Sequence, residues 1–196
     1  TAVSETQSTA FKDSISQISA LIDDNQSDEA RRLLAQLDKR ARTADQHALL
    51  AYAYAKLALS DGDINEASRV LNATHTQQHL QLADNDTIVL SGLLNADILE
   101  LQQTPLAAAR MRIYLAPIIN DQELYSLNHL RIWHLLANTP VNAIDLSRFA
   151  HEQHLLQWLK LSQITQHSHD SLSVQLSNIE SWMKANPKHP AALMVP

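Results

Sequence analysis

Asp61-Gly62-Asp63-Ile64-Asn65-Glu66-Ala67-Ser68-Arg69-Val70-Leu71 decides the fold of this chain. An Asp-Gly-Asp turn is followed by apolar residues at Ala67, Val70 and Leu71, the three- and four-residue spacing of one helix face. Upstream, Thr43 opens a helix through Leu50, Tyr54, Ala55 and Leu57. The stretch therefore predicts two antiparallel helices joined by a tight turn. Ala55 and Ala67, twelve residues apart, let the helices approach closely. Gly62 supplies the left-handed backbone that a short helix exit needs.

Related starts occur at Asp28-Glu29-Ala30-Arg31-Arg32-Leu33-Leu34, Pro105-Leu106-Ala107-Ala108-Ala109-Arg110-Met111 and Asn142-Ala143-Ile144-Asp145-Leu146. Their spacing of roughly 35 to 40 residues is that of paired-helix repeats, in which each hairpin buries its apolar face against its neighbours. The second hairpin resembles the tetratricopeptide pattern. The others match it in part: Ile18 stands where a small residue is expected before Ala30, and the third and fourth turns lack Gly.

The expected architecture is all-α, an α-solenoid of about five degenerate tetratricopeptide-like hairpins forming one domain over residues 1–196. Ser27 is expected to cap the second helix of the first hairpin. Pro105 fits the first position of a helix that Pro117 ends. The fourth hairpin runs from Asp121 to Ala137, turns at Asn138-Thr139-Pro140 and returns through Ala143, Ile144, Leu146 and Phe149. The fifth pairs Leu155 to Ile164 with Leu172 to Met183.

Composition agrees with a helical protein. The 196 residues include only 2 Gly, too few for the turns of a sheet protein, and 45% are hydrophobic. A net charge of −6 and a pI near 5.9 argue against nucleic acid as a partner. The one basic cluster, Arg31, Arg32, Lys39, Arg40 and Arg42, is interleaved with Asp28, Glu29 and Asp38 and reads as a solvated helix face, with a patch for an anionic ligand as the alternative. No run reaches the roughly 18 apolar residues of a membrane span. There is no Cys, so neither a disulfide nor thiol chemistry is available.

Ten His raise the question of a metal. His151 and His154 are one residue short of the i, i+4 spacing that a helical zinc pair uses. His75 and His79 have that spacing but lack an intervening acid, and His167 and His169 sit in a Ser-rich turn. No third ligand is apparent, so no metal and no cofactor are expected. The acid pairs Asp23/Asp24, Asp61/Asp63 and Asp84/Asp86 lie at helix ends, where capping explains them without catalysis. Glycine-dependent catalytic motifs are missing, so no catalytic residue is assigned and the chain reads as a non-enzyme. Trp133, Trp158 and Trp182 are expected in the core. Tyr52 and Lys56, one turn apart on the first helix of their hairpin, are the candidate groove contacts.

The chain closes on Trp182-Met183-Lys184-Ala185-Asn186-Pro187-Lys188-His189-Pro190-Ala191-Ala192. With five degenerate hairpins before it, this stretch resembles the N-terminal domain of the LpoA family, outer-membrane lipoproteins that activate a class A penicillin-binding protein. The resemblance implies a periplasmic protein tethered to the outer membrane by a lipidated N-terminal Cys. It also implies a second, larger domain that makes the main contact with the peptidoglycan synthase; whether the helical part meets the synthase, peptidoglycan or neither is left open by the sequence. Residues 1–196 would then be an excised N-terminal scaffold or regulatory domain. A generic helical adaptor that takes a peptide segment of another partner is the alternative.

Overall fold

The computed structural model describes residues 2–166 and 170–193. Ten α-helices and four short 3₁₀ turns make up the regular structure of these residues, and no strand occurs among them. The helices fall into two compact units, residues 1–103 and 104–196.

In the first unit, α1 (Ala2–Asp23) buries Phe11, Ile15, Ile18 and Ile22, one stripe at helical spacing. The helix α2 (Ser27–Asp38) answers with Ala30, Leu34 and Leu37. At the centre lies α3 (Ala44–Ser60), which touches α1 and α2 as well as α4 (Ile64–Asn72), α5 (Thr74–Leu80) and α6 (Asn85–Leu101). Its sequence is apolar on more than one face, with Ala48, Leu49, Leu50, Ala53, Ala55 and Leu57 all buried, as a helix enclosed by neighbours requires. Thr43 and Gln46 begin it with a reciprocal capping box.

The repeat is written most clearly in the turns. Asn25 (φ 58°), Gly62 (φ 82°) and Gln103 (φ 60°) all take the left-handed conformation, one in each of the first three copies. At the first, Gln26 N–H donates to Leu21 C=O and Asn25 N–H to Ile22 C=O. At the second, Asp63 N–H donates to Ala58 C=O and Gly62 N–H to Leu59 C=O. Both are Schellman exits, which satisfy the last carbonyls of the helix. Five residues after each left-handed residue stands a fully buried alanine: Ala30, Ala67 and Ala108. The division between the units falls in the third of these turns.

Several expectations need correction. Ser27 does not cap α2; it is the first helical residue, and Gln26 before it makes no side-chain cap bond because the Schellman turn already fixes the entry. Of the acids read as caps, Asp63 does accept from Glu66 N–H at 2.9 Å. Asp23, Asp61 and Asp84 instead pair with Lys56, Arg31 and Lys12, at 2.8, 2.8 and 2.6 Å, and so link different helices. The polar stretch around His75 is helical, as α5, which is held down by Thr76 Oγ1 donating to Val70 C=O and Gln77 Nε2 to Leu71 C=O.

The second unit contains α7 (Pro105–Leu115), α8 (Gln122–Ala137), α9 (Gln153–Gln166) and α10 (Leu172–Ala185). Pro105 stands in the first turn of α7, and Asp121 caps α8 by accepting from Leu124 N–H. The expected return helix of the fourth hairpin does not form. Residues 141–143 and 146–149 are separate 3₁₀ turns with Ile144 extended between them, and only Val141 of this stretch is buried. Pro140 restricts the chain at its start, and one buried side chain offers too little apolar area to hold a helix in place.

Glutamine side chains replace the missing helix. Gln166 Nε2 donates to Leu136 C=O at 2.9 Å and Thr139 C=O at 2.8 Å, while its Oε1 accepts from Val141 N–H at 3.2 Å. Gln163 Nε2 donates to Val141 C=O at 3.1 Å. These bonds add to the local turn bonds of the same groups, Val141 N–H to Thr139 C=O and Thr139 N–H to Leu136 C=O, and tie the stretch to α9.

Candidate functional site

In the first unit a cleft of about 680 Å³ opens over one side of α3. Its apolar lining is Leu50, Ala51, Leu57 and Ala58 of α3 with Val70 of α4, and His75 and His79 of α5 also line it. The side chains around it are polar and mostly paired. Arg31 donates to Asp61 at 2.8 Å, Arg69 grips Glu66 through two bonds of 2.6 Å, and the Tyr54 hydroxyl donates to Asp38 at 3.2 Å. Burial, then the Asp38 charge, raises the Tyr54 phenol above its ordinary range. The rings of His47 and His79 stack at 4.9 Å. Burial, followed by the neighbouring His47 and His75, lowers His79 below the usual imidazole value.

Tyr52 and Lys56 do not line this cleft. The Tyr52 ring packs against the core shared by α1, α2 and α3. Lys56 is committed to α1: its Nζ donates to Ser19 Oγ at 2.5 Å and to Asp23 at 2.8 Å. The reason is the helical screw. Tyr54 is two residues from each, so it projects from a different side of α3, and Tyr54 is the aromatic residue that reaches the cleft. The paired charges at Arg31, Asp61, Glu66 and Arg69 escaped the sequence reading; Glu66 and Arg69, three apart on α4, carried the signal of a helical ion pair, whereas Arg31 and Asp61 are thirty residues apart and meet only in the fold.

Elsewhere the sequence candidates take structural places. Among the described residues no group of three or more His, Asp or Glu is arranged to hold a metal ion. His151 and His154 are exposed. His167 and His169 lie outside the described residues. Trp158 and Trp182 are buried and Trp133 is half-buried. The terminal motif owes its residues to packing: His189 meets Trp158 at 4.9 Å and Trp182 at 5.0 Å, both edge to face, and its Nδ1 accepts from Ala191 N–H at 3.2 Å. Burial pushes the His189 imidazole down to about 4, against an opposing pull from the His154 backbone.

Paired helices with left-handed exits and buried alanines at the crossing define a tetratricopeptide-like, all-α repeat protein. The comparisons give the family. The LppC putative lipoprotein family matches residues 2–196, and the chain belongs to it. It is 28% identical over 183 residues to the penicillin-binding protein activator LpoA of Haemophilus ducreyi. That alignment covers 90% of this chain and 30% of the relative, so the chain spans about a third of the length of the curated protein that it matches. The fold is similar to the crystal structure of the E. coli LpoA amino-terminal domain, with a TM-score of 0.76 at 20% identity over 93% of this chain and 79% of that one.

Proposed function

We propose that residues 1–196 are the amino-terminal regulatory domain of a lipoprotein that activates peptidoglycan synthesis by a class A penicillin-binding protein. The observation that carries this reading is the alignment to a named activator over nine-tenths of the chain, within a family of lipoproteins. The domain is non-enzymatic. Its cleft is lined by charged and polar side chains paired with one another, the Tyr54 hydroxyl on Asp38 among them, an arrangement that suits binding. The protein works in the periplasm, tethered to the outer membrane, and this domain extends it toward the synthase, while a further domain makes the main contact.

A second reading has its own observation. The cleft over α3 presents hydrogen-bonding side chains beside an apolar lining, which suits a peptide segment of a partner. Both readings are tested by immobilising the chain and passing the synthase and isolated peptidoglycan over it. The first expects weak retention of the synthase compared with the longer lipoprotein. Strong retention that disappears in Tyr54→Ala would favour the cleft as the principal docking site. Equal, cleft-independent retention by both lengths of protein would reject the division of labour.

A further inference from the structure

The last α-helix carries an apolar stripe that its own unit covers only in part, leaving its first half exposed. Leu172, Leu176, Ile179 and Met183 fall at i, i+4, i+7 and i+11 of α10, on one face. Leu172 is 72% exposed and Leu176 51% exposed, while Ile179 and Met183 are half-buried. Trp182 is the buried anchor of the helix, which packs on α9. Only Glu180 and Lys184 carry charge in α10. The closing helix of a repeat array normally presents a polar outer face to water. Four apolar residues in register are the pattern of a helix with another partner.

The comparisons indicate what that partner is. This chain has the fold of an amino-terminal domain and spans 30% of its curated relative's length, so in the relative most of the polypeptide lies outside the matched part. We infer that the α10 stripe is the surface on which the polypeptide following residue 196 packs in the longer lipoprotein. The inference rests on the reading of this chain as the amino-terminal part of that protein. Such packing would set the direction in which the next domain leaves this one.

Hydrogen exchange of residues 172–185 tests it, measured in the 1–196 chain and in the longer lipoprotein. Exchange should be at least tenfold slower in the longer protein, and L172E with L176E should abolish the difference. The same pair should leave the helix content and melting of the 1–196 chain unchanged, because both side chains are already exposed. Equal exchange in the two proteins would overturn the inference, as would loss of folding of 1–196 on carrying the pair. So would a 1–196 dimer in sedimentation that the pair dissociates, since the stripe would then bind a second copy. Synthase stimulation is a separate measurement: a longer protein that protects α10 but stimulates nothing would reject the functional reading and keep this one.

Discussion

The two units reach the same end by different means. In residues 1–103, local rules repeat: a Schellman exit, a buried alanine five residues on, and a helix stripe that fits its neighbour. In residues 104–196 one copy has lost its return helix, and Gln163 and Gln166 of α9 hold the irregular stretch in its place. A ring cluster of His129, Trp158, Trp182 and His189 completes that unit. Repetition spreads stability over many small contacts, whereas a network concentrates it in a few side chains that cannot be exchanged singly.

Acid should therefore damage the second unit before the first. The folded pKa of His189 is depressed to about 4 from the ordinary 6.5, so the unfolded state binds the proton more readily. The stabilisation is complete above pH 6.5 and is lost as the pH falls toward 4. It amounts to at most about 3 kcal/mol. His129, lowered mainly by burial, acts in the same direction. Amide protection factors, which remove the intrinsic slowing of exchange at low pH, should fall in α9 and α10 from pH 7 to pH 4.5 and change less in α1 to α4. His189→Phe should reduce the pH dependence while lowering stability at pH 7, because Ala191 N–H loses its acceptor. A uniform acid response in both units would break the contrast.

Gln166→Leu should come next, at about 1 to 2 kcal/mol, because Val141 N–H and the Leu136 and Thr139 carbonyls each lose a bond to the amide, while Val141 N–H keeps Thr139 C=O and Leu136 C=O keeps Ser162 Oγ. Thermal unfolding measures the loss, and exchange should locate it between α8 and α9. A neutral outcome would mean that water serves those groups as well as the amide does.

The turns should give the smallest effects and of opposite sign. Gly62 has open space where a side chain would go, so Gly62→Val costs the left-handed conformation alone, about 1 kcal/mol or more. Asn25→Gly and Gln103→Gly should each stabilise, by up to about 1 kcal/mol, since both residues already hold a positive φ. Melting temperatures that move the other way would show that these turns are not equivalent.

The all-α fold was legible because helical apolar spacing recurs in segment after segment from Phe11 to Met183, and the second hairpin was legible because Gly62 marks its turn openly. The same turn was hidden at Asn25 and Gln103, where polar residues accept a conformation usually given to Gly. The fourth return helix misled because Ala143, Ile144, Leu146 and Phe149 look periodic, while its single buried residue, Val141, lies outside that pattern. At the cleft, Tyr52 and Lys56 were chosen by helical spacing, but α3 is surrounded, and spacing alone cannot tell which of its sides stays open. The terminal Trp and His residues were singled out for resemblance, and the structure supplies their reason in the packing of His189 between two indoles.

The central claim is that this domain supports activation of a peptidoglycan synthase without being the activating surface. The direct test is the rate of glycan polymerisation and cross-linking by the purified class A penicillin-binding protein of the same organism, alone, with residues 1–196, and with the longer lipoprotein. The account predicts stimulation by the longer protein and a rate close to basal with residues 1–196. Full stimulation by residues 1–196 alone would contradict it.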